Sequence, residues 1–162
     1  SHSTVLLPMV ASVLKQAQSS LSQLDGIIYG QGPGSFTGVR IGTGVAQGLS
    51  FSADLPVVGV STLQAMAQQA HINYAKSSVI ATIDARMSEI YAGYYQLNKA
   101  GIMSPVFKDT VIPPAALAEY LSADTWPAYG VGTGWAAYPT ELSGFKNNQQ
   151  PVDIVYPDAR AM

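Results

Sequence analysis

The sequence contains no cysteine and only two histidines, so several kinds of chemistry are excluded at once. Without thiols the chain can form no disulfide and has no thiolate nucleophile, which favours a cytoplasmic protein. The histidines, His2 and His71, belong to no His-x-x-x-His or His-Glu-x-x-His pair, and each is expected to be a surface residue. We therefore predict neither a metal site nor a catalytic residue.

Charged residues are also scarce. They make up 11% of the 162 residues, whereas soluble domains average about 25%. The net charge is −2 and the eight Lys and Arg residues are scattered, so no basic stripe marks a nucleic-acid footprint. Because 48% of the residues are hydrophobic, we expect either a large core or a surface that a partner covers.

No apolar run approaches the roughly 20 residues that a membrane-spanning helix requires. The first residues show no signal peptide and no initiator methionine. We expect the sequence to be an internal piece of a longer chain.

The apolar pattern predicts an α/β fold of two incomplete lobes, residues 1–76 and 77–162. In the first lobe, alternating strands and helices predict a parallel sheet with crossover helices. Its predicted elements are a helix at 5–17 with Pro8 in the first turn, strands at 26–30 and 56–60, and helices at 37–51 and 61–71. In the second lobe they are strands at 79–84, 89–96, 106–112, 126–131 and 152–155, a helix from Pro114 to Leu121, and a helix that Pro157 opens.

A dense turn at residues 30–42 joins the first strand to the second helix. Gly32, Pro33 and Gly34 fit a sharp bend, and Ser35 or Thr37 fits the cap of the helix that follows. The P-loop motif and the dinucleotide-binding motif both fail here. Two interpretations stay open, a structural elbow and an anion site at the helix N-terminus.

Two further segments could line a cleft. Residues 84–91 form the densest polar cluster, in which Asp84 could accept hydrogen bonds from the turn and Arg86 could pair with Asp84 or Glu89, or instead meet a ligand. Residues 130–135 form a glycine-rich turn of the kind that contacts adenosine in two-lobed phosphotransferases. The candidate ligand or cleft residues are Gly34, Ser35, Asp84, Arg86, Glu89 and Gly132.

The helices at 5–17 and 37–51 form the candidate partner surface. The first has a wide apolar arc, and the second has a core side and an opposite side on which two glycines lie one turn apart. Interior glycines cost roughly 1 kcal/mol each relative to alanine, so a groove that admits another helix is a reason for having them. The alternative is packing within the same domain. The candidate contacts are Leu6, Met9, Val10, Val13, Arg40, Gly44, Gln47 and Gly48.

Five segments together resemble the bacterial TsaB (YeaZ) family, a subunit of the machinery that makes threonylcarbamoyladenosine in transfer RNA. They are residues 32–42 (GPGSFTGVRIG), 46–49 (AQGL), 59–63 (GVSTL), 83–86 (IDAR) with Glu89 and Tyr91, and 130–135 (GVGTGW). The resemblance implies an actin-like, sugar-kinase-like fold of two lobes. Family members normally carry an N-terminal β-hairpin with an Asp-Thr motif and further C-terminal residues, which are absent from this sequence.

The resemblance also implies partners. They are the catalytic relative TsaD, the ATPase TsaE, a second copy in isolation, and transfer RNA only through the complex. TsaD has a His-x-x-x-His metal pair where this sequence reads Ser61-Thr-Leu-Gln-Ala-Met66. That difference implies a non-catalytic scaffold without a cofactor of its own, with ATP and metal on the partner subunits. The alternative is a self-contained metal- or nucleotide-dependent phosphotransferase or glycoprotease-like peptidase.

Overall fold

A computed structural model of the protein describes residues 2–121, 128–145 and 153–162. The chain forms two compact units, Ser1–Val60 and Ser61–Met162. The division falls earlier than the predicted boundary at residue 76, because the helix at Thr62–Tyr74 packs against strands of the second unit. Among the described residues, no helix has the length and apolar character needed to cross a membrane.

The first unit contains a strand–helix–strand element in the predicted order. In chain order, the α-helices and strands of the unit are α1 (His2–Gln16), β1 (Ile27–Gly30), α2 (Phe36–Ala53) and β2 (Val57–Val60). The two strands pair in parallel, with Ile28 opposite Val58. Pro8 lies inside α1 rather than in its first turn, because the helix begins earlier than the apolar pattern indicated. A proline in a helix interior removes one backbone hydrogen bond.

The second unit is a four-stranded mixed sheet with helices. Its strands are β3 (Ser78–Arg86), β4 (Glu89–Leu97), β5 (Met103–Ile112) and β6 (Tyr129–Val131), and its α-helices are α3 (Thr62–Tyr74) and α4 (Gly134–Ala137). The strand order is β5-β4-β3-β6. Strand β4 pairs antiparallel with both β3 and β5, whereas β6 pairs parallel with β3.

Several predicted elements differ in the second unit. Strand β5 begins before Val106 and includes Pro105, which is tolerated because β5 is an edge strand. The helix predicted to end at Leu121 is a 3₁₀-helix, Pro114–Tyr120. Trp126, the start of the strand predicted at 126–131, lies outside the described residues.

A strand is predicted at residues 152–155, of which the structure describes residues 153–155. These three residues belong to no strand, so the prediction is wrong for them. Instead, the carbonyl of Ile154 accepts one hydrogen bond from Gly132 N–H at 2.8 Å, and the Ile154 side chain is buried. The segment therefore packs by a single bond and one apolar side chain. The helix expected after Pro157 is a short 3₁₀-helix, Ala159–Ala161.

Helix α3 covers one face of the four-stranded sheet and provides the main core. Its buried side chains pack against buried residues of β3, β4 and β6. The opposite face has its own core, to which the 3₁₀-helix at Pro114–Tyr120 contributes Leu117. The α3 side of the core contains Leu63, Met66, Ala67, Ala70, Val79, Ala81, Tyr95, Met103, Val131 and Ile154.

A polar cluster of Ser61, Tyr95 and Asp109 fixes the start of α3. Ser61 Oγ accepts from the N–H groups of Leu63 and Gln64 at 3.1 and 3.2 Å, so it caps the helix as its sequence position predicts. The Ser61 hydroxyl also donates to Asp109 Oδ2 at 2.5 Å, and the buried Tyr95 hydroxyl donates to Asp109 Oδ1. The cluster therefore ties the first turn of α3 to β4 and β5.

Tyr95→Phe should remove an alkaline dependence of stability. Burial and the hydrogen bond to Asp109 raise the pKa of the Tyr95 hydroxyl above its ordinary value. Because the folded-state pKa is the higher one, the contribution of this group is complete below about pH 10 and is lost as the pH rises further. At neutral pH, we expect Tyr95→Phe to lower the free energy of unfolding by about 0.5–1.5 kcal/mol.

Urea unfolding at a series of pH values measures this effect. The wild type should lose more stability above about pH 10 than Tyr95→Phe does. Tyr74→Phe is the matched control, because the Tyr74 side chain is exposed. Equal alkaline slopes for wild type and Tyr95→Phe would contradict the assignment.

Candidate functional site

The apolar arc of α1 faces outward over much of its length. Val13 is 63% exposed and Met9 is also exposed, whereas Leu6 and Val10 are half-buried. Val5 and Leu7 add further exposed apolar surface, so the helix presents more of its arc than the predicted contacts alone. Contiguous apolar surface of this kind is typical of interaction sites.

Helix α2 has the two sides that its sequence predicts. Ala46 is buried on the inner side. On the outer side, Arg40, Gly44, Gln47 and Gly48 are exposed. A Cβ built on Gly44 or Gly48 would have no described atom within 4 Å apart from its chain neighbours and its own helix backbone. The glycine groove is therefore open, and its use as a partner surface stays a prediction.

Two phenylalanines extend the outer side of α2, and the predicted contacts did not include them. Phe36 is 70% exposed and Phe51 is 92% exposed. The Arg40 guanidinium lies 3.8 Å from the centroid of the Phe36 ring, a cation–π contact. The sequence contains the pattern that would identify them, because residues 36, 40, 44, 48 and 51 recur at helical spacing on one side of α2. We call Phe36, Arg40, Gly44, Gln47, Gly48 and Phe51 the α2 stripe.

The turn before α2 has the geometry of a structural elbow. Gly32 is buried at φ +92°, and a Cβ there would lie 3.2 Å from a Val39 methyl group. Ser35, not Thr37, is the N-cap, and its Oγ accepts from Gly38 N–H at 3.4 Å. Gly34 is half-buried and also approaches Val39. Packing against Val39 accounts for Gly32 and capping for Ser35, whereas a ligand role for Gly34 and Ser35 stays a prediction.

Asp84 organises the polar cluster of the second unit. Its Oδ1 accepts from the backbone N–H of Arg86 at 2.9 Å and from the Tyr138 hydroxyl at 3.0 Å. Its own N–H donates to Thr133 Oγ1 at 3.0 Å. Partial burial and the hydrogen bond to Asp84 raise the pKa of Tyr138. The structural role predicted for Asp84 is present, but Thr133 and Tyr138 are about 50 residues away in sequence and gave no signal.

The predicted pairing of the Arg86 guanidinium with Asp84 or Glu89 is wrong. In the described parts of the chain, the ion pair present is Arg160–Asp158. Arg86 pairs with Glu89 only as opposite residues of the β3–β4 hairpin, and its side chain is exposed. The Asp84 carboxylate instead accepts through Oδ1 from the turn N–H and from the Tyr138 hydroxyl.

The glycine-rich turn packs tightly against β3. Gly132 has φ +94°, and a Cβ there would collide with the carbonyl of Thr82. A Cβ on Gly134 would lie 2.5 Å from Thr82 Oγ1. Gly132 therefore lies beside the Asp84 cluster, at the same ends of the parallel strands β3 and β6. Close backbone approach explains its glycine.

No metal centre is formed by the residues that the structure describes. They contain no group of three or more His, Cys, Asp or Glu side chains close enough to hold an ion. Gly34 and Ser35 belong to the first unit, whereas Asp84, Arg86, Glu89 and Gly132 belong to the second. The candidate residues thus form two separate sets, each described within its own unit.

The fold and these surfaces define a two-unit α/β protein with an exposed apolar helix pair. A family model described as "TsaD: tRNA N6-adenosine threonylcarbamoyltransferase" matches residues 1–131. The tRNA threonylcarbamoyladenosine biosynthesis protein TsaB of Escherichia coli is 44% identical over 85% of this chain and 60% of its own length. TsaB of Haemophilus influenzae is 40% identical over 99% of this chain and 69% of its own.

A solved structure of YeaZ from Pseudomonas aeruginosa has a TM-score of 0.86 at 42% identity, covering 99% of this chain and 72% of that one. The chain belongs to the TsaB (YeaZ) family. It spans about 60% of the length of the Escherichia coli relative. The family predicted from the five segments is confirmed.

If close packing is the reason for the glycines in the turn at residues 130–135, Gly132→Ala should destabilise the protein strongly. The substitution adds a collision with the Thr82 carbonyl to the strain of a left-handed residue. Gly101→Ala is the matched control, because Gly101 also has a positive φ, +77°, but has open space around its Cβ position. We expect about 1 kcal/mol of destabilisation for the control and at least about 2 kcal/mol more for Gly132→Ala.

Chemical denaturation of both variants gives the comparison. Similar losses for the two would show that the close approach to Thr82 is not significant. That result would favour a ligand role for Gly132 over a packing role.

Proposed function

We propose that this protein is a non-catalytic scaffold subunit of the assembly that installs threonylcarbamoyl on adenosine of transfer RNA. It docks on the catalytic relative TsaD through α1 and the α2 stripe. The exposed apolar helix pair with its open glycine groove carries the proposal. The relatives from Escherichia coli and Haemophilus influenzae are both named for the biosynthesis of this nucleoside.

The α2 stripe has the composition of a protein interface. An aromatic residue lies at each end, Phe36 and Phe51, and the open groove at Gly44 and Gly48 lies between them. Aromatic residues and arginine are enriched in interface cores. Glycines in a helix allow close approach of a second helix, which then fills the groove. The charge of Arg40 is partly accommodated by the ring of Phe36.

The start of α3 supports a non-catalytic role. The family resemblance puts the metal pair of TsaD at residues 61–66, where Ser61 is a helix cap and Leu63, Ala65 and Met66 are buried. These side chains offer no imidazole or carboxylate to a metal. We accordingly propose that the partner subunits hold ATP and metal. We also propose that the full-length protein has an actin-like, sugar-kinase-like arrangement.

The remaining partners follow from the same surface. In isolation, exposed apolar helices favour a two-fold homodimer, since a self-complementary patch buries itself against a second copy. The ATPase TsaE joins the complex of TsaB and TsaD in the proposed cytoplasmic assembly.

Gly48→Arg should disrupt docking without unfolding the protein. The groove is open, and arginine is a better helix former than glycine by about 0.8–1 kcal/mol, so the fold should be retained. In the interface, the side chain would fill the groove and bury an unpaired charge, which costs several kcal/mol. We expect at least a hundredfold loss of affinity for TsaD and loss of the homodimer.

Gly144→Arg in the second unit is the control, because it adds the same side chain to another glycine with open space. Light scattering reports the homodimer, and binding of the full-length protein to purified TsaD reports docking. An unchanged oligomer that still binds TsaD would contradict the surface assignment. Metal- or nucleotide-dependent turnover by the full-length protein alone would support the phosphotransferase or peptidase alternative.

Transfer RNA should bind the assembly far better than this subunit alone. A net charge of −2 with scattered Lys and Arg releases few counterions from a phosphate backbone. We expect weak binding of the isolated full-length protein, outside the submicromolar range, and tight binding after TsaD is added. A titration at two salt concentrations checks it, and a submicromolar, salt-sensitive affinity of the subunit alone would sink the prediction.

A further inference from the structure

Helix α2 and its C-cap carry one positive and one negative residue, toward opposite ends. Arg40 lies one turn into the helix, and Asp54 is the C-cap. Both residues are exposed, and neither forms an ion pair within residues 2–121, 128–145 and 153–162. At a rise of about 1.5 Å per residue they are about 21 Å apart along the helix. They are therefore too far apart to pair within one copy of the chain.

Arg40 and Asp54 lie on the same side of α2 as the α2 stripe. Asp54 follows Phe36 by about five whole helical turns, and Arg40 follows Phe36 by about one. Between the two charges, the stripe has the open groove at Gly44 and Gly48. This side of the helix is thus positive near its N-terminal end, uncharged in the middle and negative at its C-terminal end.

This order of charges is self-complementary when two α2 helices meet in antiparallel orientation. A two-fold axis perpendicular to both helices brings Gly44 of one copy to Gly48 of the other, and then Arg40 of each copy lies near Asp54 of the other. A parallel pair would instead bring Arg40 to Arg40 and Asp54 to Asp54, where like charges repel. The charges therefore favour the antiparallel pair.

The direction of the Arg40 side chain agrees with this register. Its guanidinium lies 3.8 Å from the centroid of the Phe36 ring, so the side chain extends toward the N-terminal end of α2. With Gly44 against Gly48, residues 36–40 of one copy lie opposite residues 52–56 of the other. The guanidinium is thus at the level of Asp54 of the second copy, and the helix backbones can approach because the glycine groove is open.

We propose that two copies of this chain associate through antiparallel α2 helices, with Gly44 of each copy against Gly48 of the other and Arg40 of each paired with Asp54 of the other. This inference rests on the proposed function, because it specifies the contacts of the homodimer. A second copy is the assigned occupant, since the stripe supplies both members of each ion pair only when it meets itself. Two-fold symmetry makes every such contact twice.

Charge reversal in two separate variants tests the pairing. In a dimer of Arg40→Asp, two carboxylates meet at each contact, and in a dimer of Asp54→Arg, two guanidinium groups meet. We expect each full-length variant alone to dimerise at least about tenfold more weakly than the wild type, because like charges are brought together. Light scattering over a concentration series measures this effect.

Mixing the two variants restores the proposed contacts. In a mixed dimer each reversed charge meets an opposite charge, so we expect its affinity to lie within about threefold of the wild-type value. Lys99→Asp is the control, because it reverses an exposed cation of the second unit and should leave dimerisation unchanged. A mixture that stays monomeric while each variant is folded would overturn the pairing.

Asp54→Asn is a second variant, to be used if Asp54→Arg does not fold. The C-cap has φ 52°, a left-handed conformation that Asn tolerates. Removing the carboxylate should weaken the dimer about threefold and reduce its dependence on salt, because one member of each ion pair is lost. An unchanged affinity with an unchanged salt dependence would contradict the pairing.

The outcomes separate this inference from the proposed function. If the full-length wild type is monomeric at every concentration, the homodimer and this inference are both overturned, while docking on TsaD is measured independently. If Gly48→Arg abolishes the dimer but the charge variants dimerise like the wild type, the Arg40–Asp54 pairing alone is overturned. It is likewise overturned if the charge variants lose TsaD binding and retain the homodimer, since the two residues would then contact TsaD instead.

Discussion

Packing of α3 against the four-stranded sheet is the interaction on which the second unit depends. Leu63, Met66 and Ala70 of the helix are fully buried against the sheet. Burying a large apolar side chain contributes roughly 1.5–3 kcal/mol, so this layer supplies the largest stabilising contribution described. The cap at Ser61 and its bonds to Asp109 fix where the helix begins. Strand β3, an inner strand of that sheet, contains Asp84 near its end.

The first unit has a different balance. Among its described residues, Ala46 is the single buried hydrophobic side chain, while large apolar side chains of α1, α2, β1 and β2 are exposed. A parallel pair of strands is normally covered on both faces. The exposed apolar side chains of α1 and the phenylalanines at the two ends of the α2 stripe are the physical basis for proposing these helices as an association surface.

The glycines show how one residue type has separate physical uses. Gly132 allows a backbone approach to Thr82 that a side chain would block, and Gly32 allows a positive φ beside Val39. Gly44 and Gly48 have open space around them. In a sequence motif, all four glycines look like flexible or ligand-binding positions. The contacts around each glycine distinguish close packing from an open groove. The β3–β4 turn is the reverse case, because Arg86, Met87 and Ser88 have positive φ values where glycine is expected.

The sequence by itself determined the α/β order, the family, the two sides of α2 and the cap at Ser61, and it limited the cap of α2 to Ser35 or Thr37. Local periodicity and capping chemistry act over one or two helical turns. Tertiary structure decided what depends on distant contacts. It assigned α3 to the second unit, gave Asp84 the partners Thr133 and Tyr138, and left Arg86 without Glu89. The Asp84 contacts depend on the pairing of β3 with β6, because only folding brings segments about 50 residues apart within hydrogen-bond distance.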